Sequence, residues 1–86
     1  MKIWKYPLKL IDLQTIDFPV NSKILTAQVQ NNVVCIWALC DETEPKISRN
    51  IAIYGTGTPI SDNPGKYIST FQLYNGSLIF HVFEIG

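Results

Sequence analysis

The sequence predicts an all-β protein: a small antiparallel sheet of about six or seven strands, curled into a sandwich or partial barrel. Three observations carry that expectation. β-Branched residues dominate, with 12 Ile, 5 Val and 6 Thr against 3 Ala, and such side chains suit a pleated, half-buried surface. No segment sustains an i, i+3, i+4, i+7 apolar stripe beyond about two turns. Two dipeptides, Asn31-Asn32 and Asn75-Gly76, each separate two apolar runs, and both accept the positive φ of a two-residue type I′ turn.

Taken in order, Ile3-Trp4-Lys5-Tyr6 reads as a short strand stopped by Pro7, and Gln14-Thr15-Ile16-Asp17-Phe18 as a weaker one stopped by Pro19. Ile24–Gln30 alternates, with Leu25, Ala27 and Val29 on one face and Thr26, Gln28 and Gln30 on the other. The turn at Asn31-Asn32 returns the chain into Val33–Cys40, which is apolar on both faces. That pattern marks a central strand or one covered on both sides. Asp41-Glu42-Thr43-Glu44-Pro45 is an acidic connection to a strand near Arg49–Tyr54. Gly55 to Gly65 follows, crowded with Gly, Pro, Asn and Asp. At about 11 residues it exceeds the usual connection of about 2–6, and long loops in compact domains are often functional. Tyr67–Tyr74 and Ser77–Glu84 complete the chain as a hairpin about Asn75-Gly76.

Eighty-six residues are expected to form one domain, 1–86. Seven Lys and Arg balance seven Asp and Glu, 16% of the chain is charged, and 47% is hydrophobic. The apolar content argues against intrinsic disorder. A neutral chain with one Arg lacks the basic surface that duplex DNA or RNA requires. The charge is nevertheless uneven: residues 1–23 hold four Lys and two Asp, residues 24–45 three acids, and residues 46–86 three cations and two acids. Such a chain is still able to hold a compact anion. The N-terminus shows no signal-peptide h-region, and no run approaches the about 18 apolar residues of a membrane-spanning helix. Cys35 and Cys40 lie five apart in one strand, about 16 Å from each other, too far for a disulfide. Two free thiols suit a reducing cytoplasm. One His and two Cys make no four-ligand metal site, and no cofactor is expected. A core this small commonly gains from a partner subunit, so self-association as a dimer or higher is expected.

Enzyme constellations are weak. His81 is the only imidazole and shares a face with Ile79 and Phe83, the setting of a hydrogen-bonded packing residue more than of a base. Both thiols sit in the most apolar segment, where a thiol is inert. Asp41, Glu42 and Glu44 share a solvated loop without the desolvation that separates acid from base. Gly55-Thr56-Gly57 follows a strand but lacks the third Gly, the Lys-Ser/Thr ending and the helix of a nucleotide fingerprint. Two readings stay open for it, an anion nest of converging amides or a tight turn needing positive φ. Arg49 and Lys66 are the nearby cations, and Tyr54 and Tyr67 bracket the loop. A base stacked on such a ring gains about 1–3 kcal/mol without any basic surface.

Ile53-Tyr54-Gly55-Thr56-Gly57-Thr58-Pro59-Ile60, Gly65-Lys66-Tyr67-Ile68, Thr70-Phe71-Gln72 and Leu78-Ile79-Phe80-His81-Val82-Phe83-Glu84 resemble, in order and spacing, a family of small uncharacterised tailed-phage proteins. Lys2-Ile3-Trp4-Lys5-Tyr6-Pro7 and Ile36-Trp37-Ala38-Leu39 resemble it too. Its members usually carry Gly-Gly where this chain has Asn75-Gly76, a change that keeps the turn. The resemblance implies a phage-encoded, non-enzymatic accessory protein in the host bacterial cytoplasm. Small phage proteins of this size include sponges that sequester cyclic dinucleotide signals of host defence such as CBASS. Under that expectation Arg49 and Lys66 meet phosphate, the Gly55, Thr56 and Gly57 amides meet oxygens, Tyr54 or Tyr67 stacks on a base, and His81 lies beside the ligand. The alternatives are a protein-binding inhibitor of a host enzyme and a minor structural phage component.

Overall fold

A computed structural model describes all 86 residues. Seven strands run β1 (Lys2–Pro7), β2 (Leu13–Pro19), β3 (Lys23–Gln30), β4 (Val33–Cys40), β5 (Lys46–Gly55), β6 (Lys66–Leu73) and β7 (Leu78–Ile85), with no helix. They form two antiparallel sheets, one ordered β1-β4-β3 and the other β2-β5-β7-β6. The sheets pack face to face as a sandwich and do not close into a barrel. Its shortest dimension is 16 Å, the thickness of two layers about 10 Å apart with their outer side chains. Phe18, Ile36, Ile51, Phe71 and Val82 lead the core between them.

The turns follow their residues. Gln30 pairs with Val33 around Asn31 and Asn32, whose φ values are 51° and 65°. Ser77 N–H donates to the Tyr74 carbonyl at 3.1 Å, with Asn75 and Gly76 at φ 55° and 88°. The first is a two-residue turn with positive φ at both central positions, the type I′ signature; in the second the last ladder pair is Leu73 with Leu78, so Tyr74–Ser77 form a four-residue connection in which Tyr74 is also at positive φ, 52°. β4 is central in its sheet. Val34, Ile36 and Ala38 face the core, whereas Trp37 and Leu39, on the outer face, are half-buried with no further layer over them. The Lys5 ammonium, 5.9 Å from the Trp37 ring centroid, gives that face a partial cover. Cys35 and Cys40 are separate buried thiols. Tyr6 packs on Phe18 with ring centroids 4.5 Å apart; burial, aided by the hydrogen bond with Cys40, pushes its hydroxyl up to about 12.

The even alternation expected of β3 fails at Leu25. The ladder shifts register between Ile24 and Thr26, because a bulge sets two residues against one and reverses the inward parity beyond it. Ile24, Ala27 and Val29 therefore face the core, while Leu25 is 43% exposed. β6 carries a matching shift between Tyr67 and Ser69. The two bulged edges face each other across the sandwich. Ser69 Oγ accepts from Ala27 N–H at 2.8 Å and shares a 2.9 Å hydrogen bond with Thr26 Oγ1. Side chains thus stitch the edges at mid-length, where a barrel would use a ladder.

β5 and β6 both run antiparallel to β7, so they are parallel to each other. Their connection must return the length of the sheet, and residues 56–65 cross the outer face of β7 as a strap. Gly65 ends it at φ +99°, where a Cβ would collide with the Glu84 carbonyl. Only glycine combines that φ with that approach.

Candidate functional site

Antiparallel partners point their side chains to the same face. The β5–β7–β6 register therefore sets Tyr54, His81 and Thr70 in one row, and Ala52, Phe83 and Tyr67 in the next. Both rows lie on the outer face of the four-stranded sheet. Phe83 meets Tyr54 edge-on at 5.6 Å between centroids and Tyr67 at 5.5 Å. A groove of about 240 Å³ opens between these rows and the strap, walled by Tyr54, His81 and Phe83 below and by Gly55–Thr58 and Ile60 above.

His81 is held on both sides. Nε2 is 2.8 Å from Thr56 Oγ1 and Nδ1 is 2.9 Å from Thr70 Oγ1. Thr70 is in turn 2.8 Å from the Tyr67 hydroxyl, and Thr56 Oγ1 donates to the Ile79 carbonyl at 3.3 Å. One assignment of hydrogens satisfies every group: Tyr67 donates to Thr70, Thr70 to His81 Nδ1, His81 Nε2 to Thr56, and Thr56 to Ile79. The imidazole is oriented by hydroxyls and touches no carboxylate, so it lacks the orienting group of a triad.

Gly55-Thr56-Gly57 resolves as a tight turn. Thr58 N–H donates to the Gly55 carbonyl at 3.1 Å and Thr56 N–H to the Ile79 carbonyl at 3.1 Å. Gly57 is at φ +86°, the third position of a type II turn. The Thr56 amide, one of the three expected to meet an anion, is thereby engaged inside the protein.

The cations lie elsewhere. Arg49 shares the inner face of β5 with Ile51 and Ile53. Its Nε and Nη2 donate to Glu84 at 2.5 and 2.7 Å, and Nη1 donates to the Ser22 carbonyl at 2.6 Å. The guanidinium also lies 5.2 Å from the Phe18 ring centroid. The Arg49 hydrogen bonds, with help from the charges of Arg49 and Lys66, hold the Glu84 carboxyl below its usual range. Arg49 thus pins the β2–β3 connection over one end of the sandwich, and the phosphate role expected of it is taken by Glu84. Lys66, opposite Glu84 in register, makes no ion pair or hydrogen bond. It borders a second groove of about 410 Å³, between the bulged edges, with the Arg49–Glu84 pair on its floor and Lys23, Leu25, Tyr67 and Ile68 around it.

Five of the eight expected site residues, Tyr54, Gly55, Thr56, Gly57 and His81, therefore meet under the strap. Arg49, Lys66 and Tyr67 meet at the second groove, and Tyr67 joins the two places. Thr58, Ile60 and Phe83 are the strap-groove residues that sequence reasoning missed, with Thr70 behind them as the partner of His81 Nδ1. Alternation already places Phe83 with His81, and counting back from Asn75-Gly76 pairs Thr70 with His81. No cluster of three or more His, Cys, Asp or Glu is placed to hold a metal ion. No helix is long and apolar enough to cross a membrane.

A protein-family model matches residues 1–85 of the chain. The chain belongs to that family. Its description is Domain of unknown function (DUF7352). No curated protein and no solved structure matches the chain.

Proposed function

We propose that this member of the DUF7352 family is a non-enzymatic binding protein that sequesters a small nucleotide, with cyclic dinucleotides first among candidates. In this reading it is phage-encoded, works in the host bacterial cytoplasm, and removes an immune signal of the CBASS kind. One observation carries it: the cluster of Tyr54, Phe83 and Tyr67 rings beside the strap. Tyr67 is 55% exposed, yet its ring is fixed by Phe83 and its hydroxyl by Thr70. A ring already held in place loses little freedom when a base stacks on it. β6 is an edge strand, so a ligand on Tyr67 reaches the unpaired ammonium of Lys66 by wrapping that edge. His81, bonded at both nitrogens, serves as a wall of the site.

A thermal-shift screen against a cyclic di- and trinucleotide panel tests the reading, followed by heat release of the bound material. A concentration-dependent rise in melting temperature with one ligand, recovered unchanged, supports sequestration. No shift with any member of the panel overturns it.

A second reading, self-association, is favoured by a separate observation. Ile3, Trp37 and Leu39 share the uncovered face of the three-stranded sheet, with Ile3 60% exposed. Light scattering is expected to give at least a dimer, and a clean monomer of 9.7 kDa would overturn that reading.

A further inference from the structure

We propose that the groove between the bulged edges of β3 and β6 is a phosphate-binding site, with Lys23 and Lys66 as its two cationic ligands. The groove brings together three cations, Lys23, Arg49 and Lys66, and one carboxylate, Glu84. Glu84 is fully engaged, because Arg49 holds both its oxygens in a fork. Lys23 and Lys66 make neither a salt bridge nor a hydrogen bond. Neither ammonium is paired, although Lys66 is near enough for its charge to act on Glu84, and three cations against one carboxylate leave the cleft a surplus of positive charge. In a chain of zero net charge that local surplus favours an anion.

The shape narrows the anion. About 410 Å³ lies in the range of small-ligand pockets, about 300–1,000 Å³. Ammonium groups are compact point charges with rotatable donors, suited to a phosphate whose oxygens point in several directions. The two bulges matter here. Each releases one residue from the ladder, Leu25 and Ile68, and both side chains line the cleft as an apolar shoulder. A phosphate with an attached organic body fits this combination better than a bare ion. Tyr67 borders the same cleft, so a nucleotide whose base stacks there places its phosphate within the groove. Only that last assignment, the nucleotide body, rests on the sequestration reading.

The phosphate site is tested with pyrophosphate alone, titrated into the wild-type protein and followed by NMR shifts. Saturating shifts centred on Ile24, Leu25 and Ile68 are expected. Lys23→Gln and Lys66→Gln should each weaken binding about tenfold, the loss of one charge-assisted contact. The double variant should abolish it, and Lys9→Gln, in the β1–β2 connection, should leave it unchanged. These lysines are exposed, so the variants remain folded. Unsaturable shifts, or equal affinity in the double variant, overturn the proposal. A cyclic dinucleotide that binds wild-type and double variant alike overturns the nucleotide body assigned to this groove, while leaving the sequestration reading intact. Pyrophosphate binding at the lysines with no response to the nucleotide panel retains the site and retires the nucleotide.

Discussion

The two grooves sit on opposite sides of the β7–β6 pair and are built on opposite principles. Under the strap, polarity comes from neutral groups: a chain of hydroxyls and one imidazole that starts at the Tyr67 hydroxyl and passes each hydrogen bond in one direction. Between the bulged edges it comes from full charges, an ion pair below and two lone ammonium groups above. A neutral relay positions aromatic rings cheaply, because a hydrogen bond among exposed groups is worth about 1 kcal/mol. An ion-paired floor is a stiffer element, since removing one partner strands the other. Tyr67 belongs to both, through its ring on one side and its place at the cleft on the other. Under the proposed function, one region orients a flat group and the other holds charge.

Substitutions break the contrast in a graded order. The largest effect is expected for Gly65→Ala, where the strap meets β7. A Cβ there collides with the Glu84 carbonyl at positive φ, and about 3 kcal/mol of stability should be lost in urea melts. Glu84→Gln strikes the charged groove alone. The pair's side chains are each 19% exposed, so the loss should fall below the fully buried range, at about 2 kcal/mol. Its pH signature has a definite sign. Glu84 titrates below its ordinary value of 4.5 in the folded protein, so its contribution is complete above that value. It drains away as pH falls through the folded pKa. In Glu84→Gln that part of the acid sensitivity should vanish.

Ser69→Ala removes the stitch between the edges and leaves the buried Ala27 N–H without its partner. A cost of about 1–2 kcal/mol is expected, together with faster amide exchange at Ala27. Thr70→Val is the mildest and most selective change. Stability should drop by about 1 kcal/mol or less. The Tyr67 ring, freed from its hydroxyl tether, should lose affinity for a stacked base while pyrophosphate binding at Lys23 and Lys66 stays unchanged.

Local pairing was legible in the sequence, and long-range pairing was not. The two turns fix the β3–β4 and β6–β7 registers by counting outward, and that arithmetic extends to Thr70 opposite His81. It stops at the bulges, because nothing in Leu25 or Ile68 announces an extra residue in the ladder. The two-sided apolar pattern of β4 correctly marks a central strand. Arg49 and Glu84 are 35 residues apart and meet only because β5 lies beside β7, a neighbourhood set by the crossover. Proximity along the chain therefore placed Arg49 with the Gly55–Gly57 turn. Alternation alone separates them functionally, since the guanidinium shares the inner face of β5 and Tyr54 the outer. Lys23 was hidden for the same reason: its partner residues come from β6 and β7.

In the proposed function a nucleotide is held and released unaltered. Isothermal titration with a cyclic dinucleotide panel, followed by heat denaturation and chromatography of the supernatant, tests it most directly. One ligand is expected to bind saturably and to return intact, with weakened binding in Lys66→Gln. A panel in which nothing binds, or a ligand that returns cleaved, would contradict the claim.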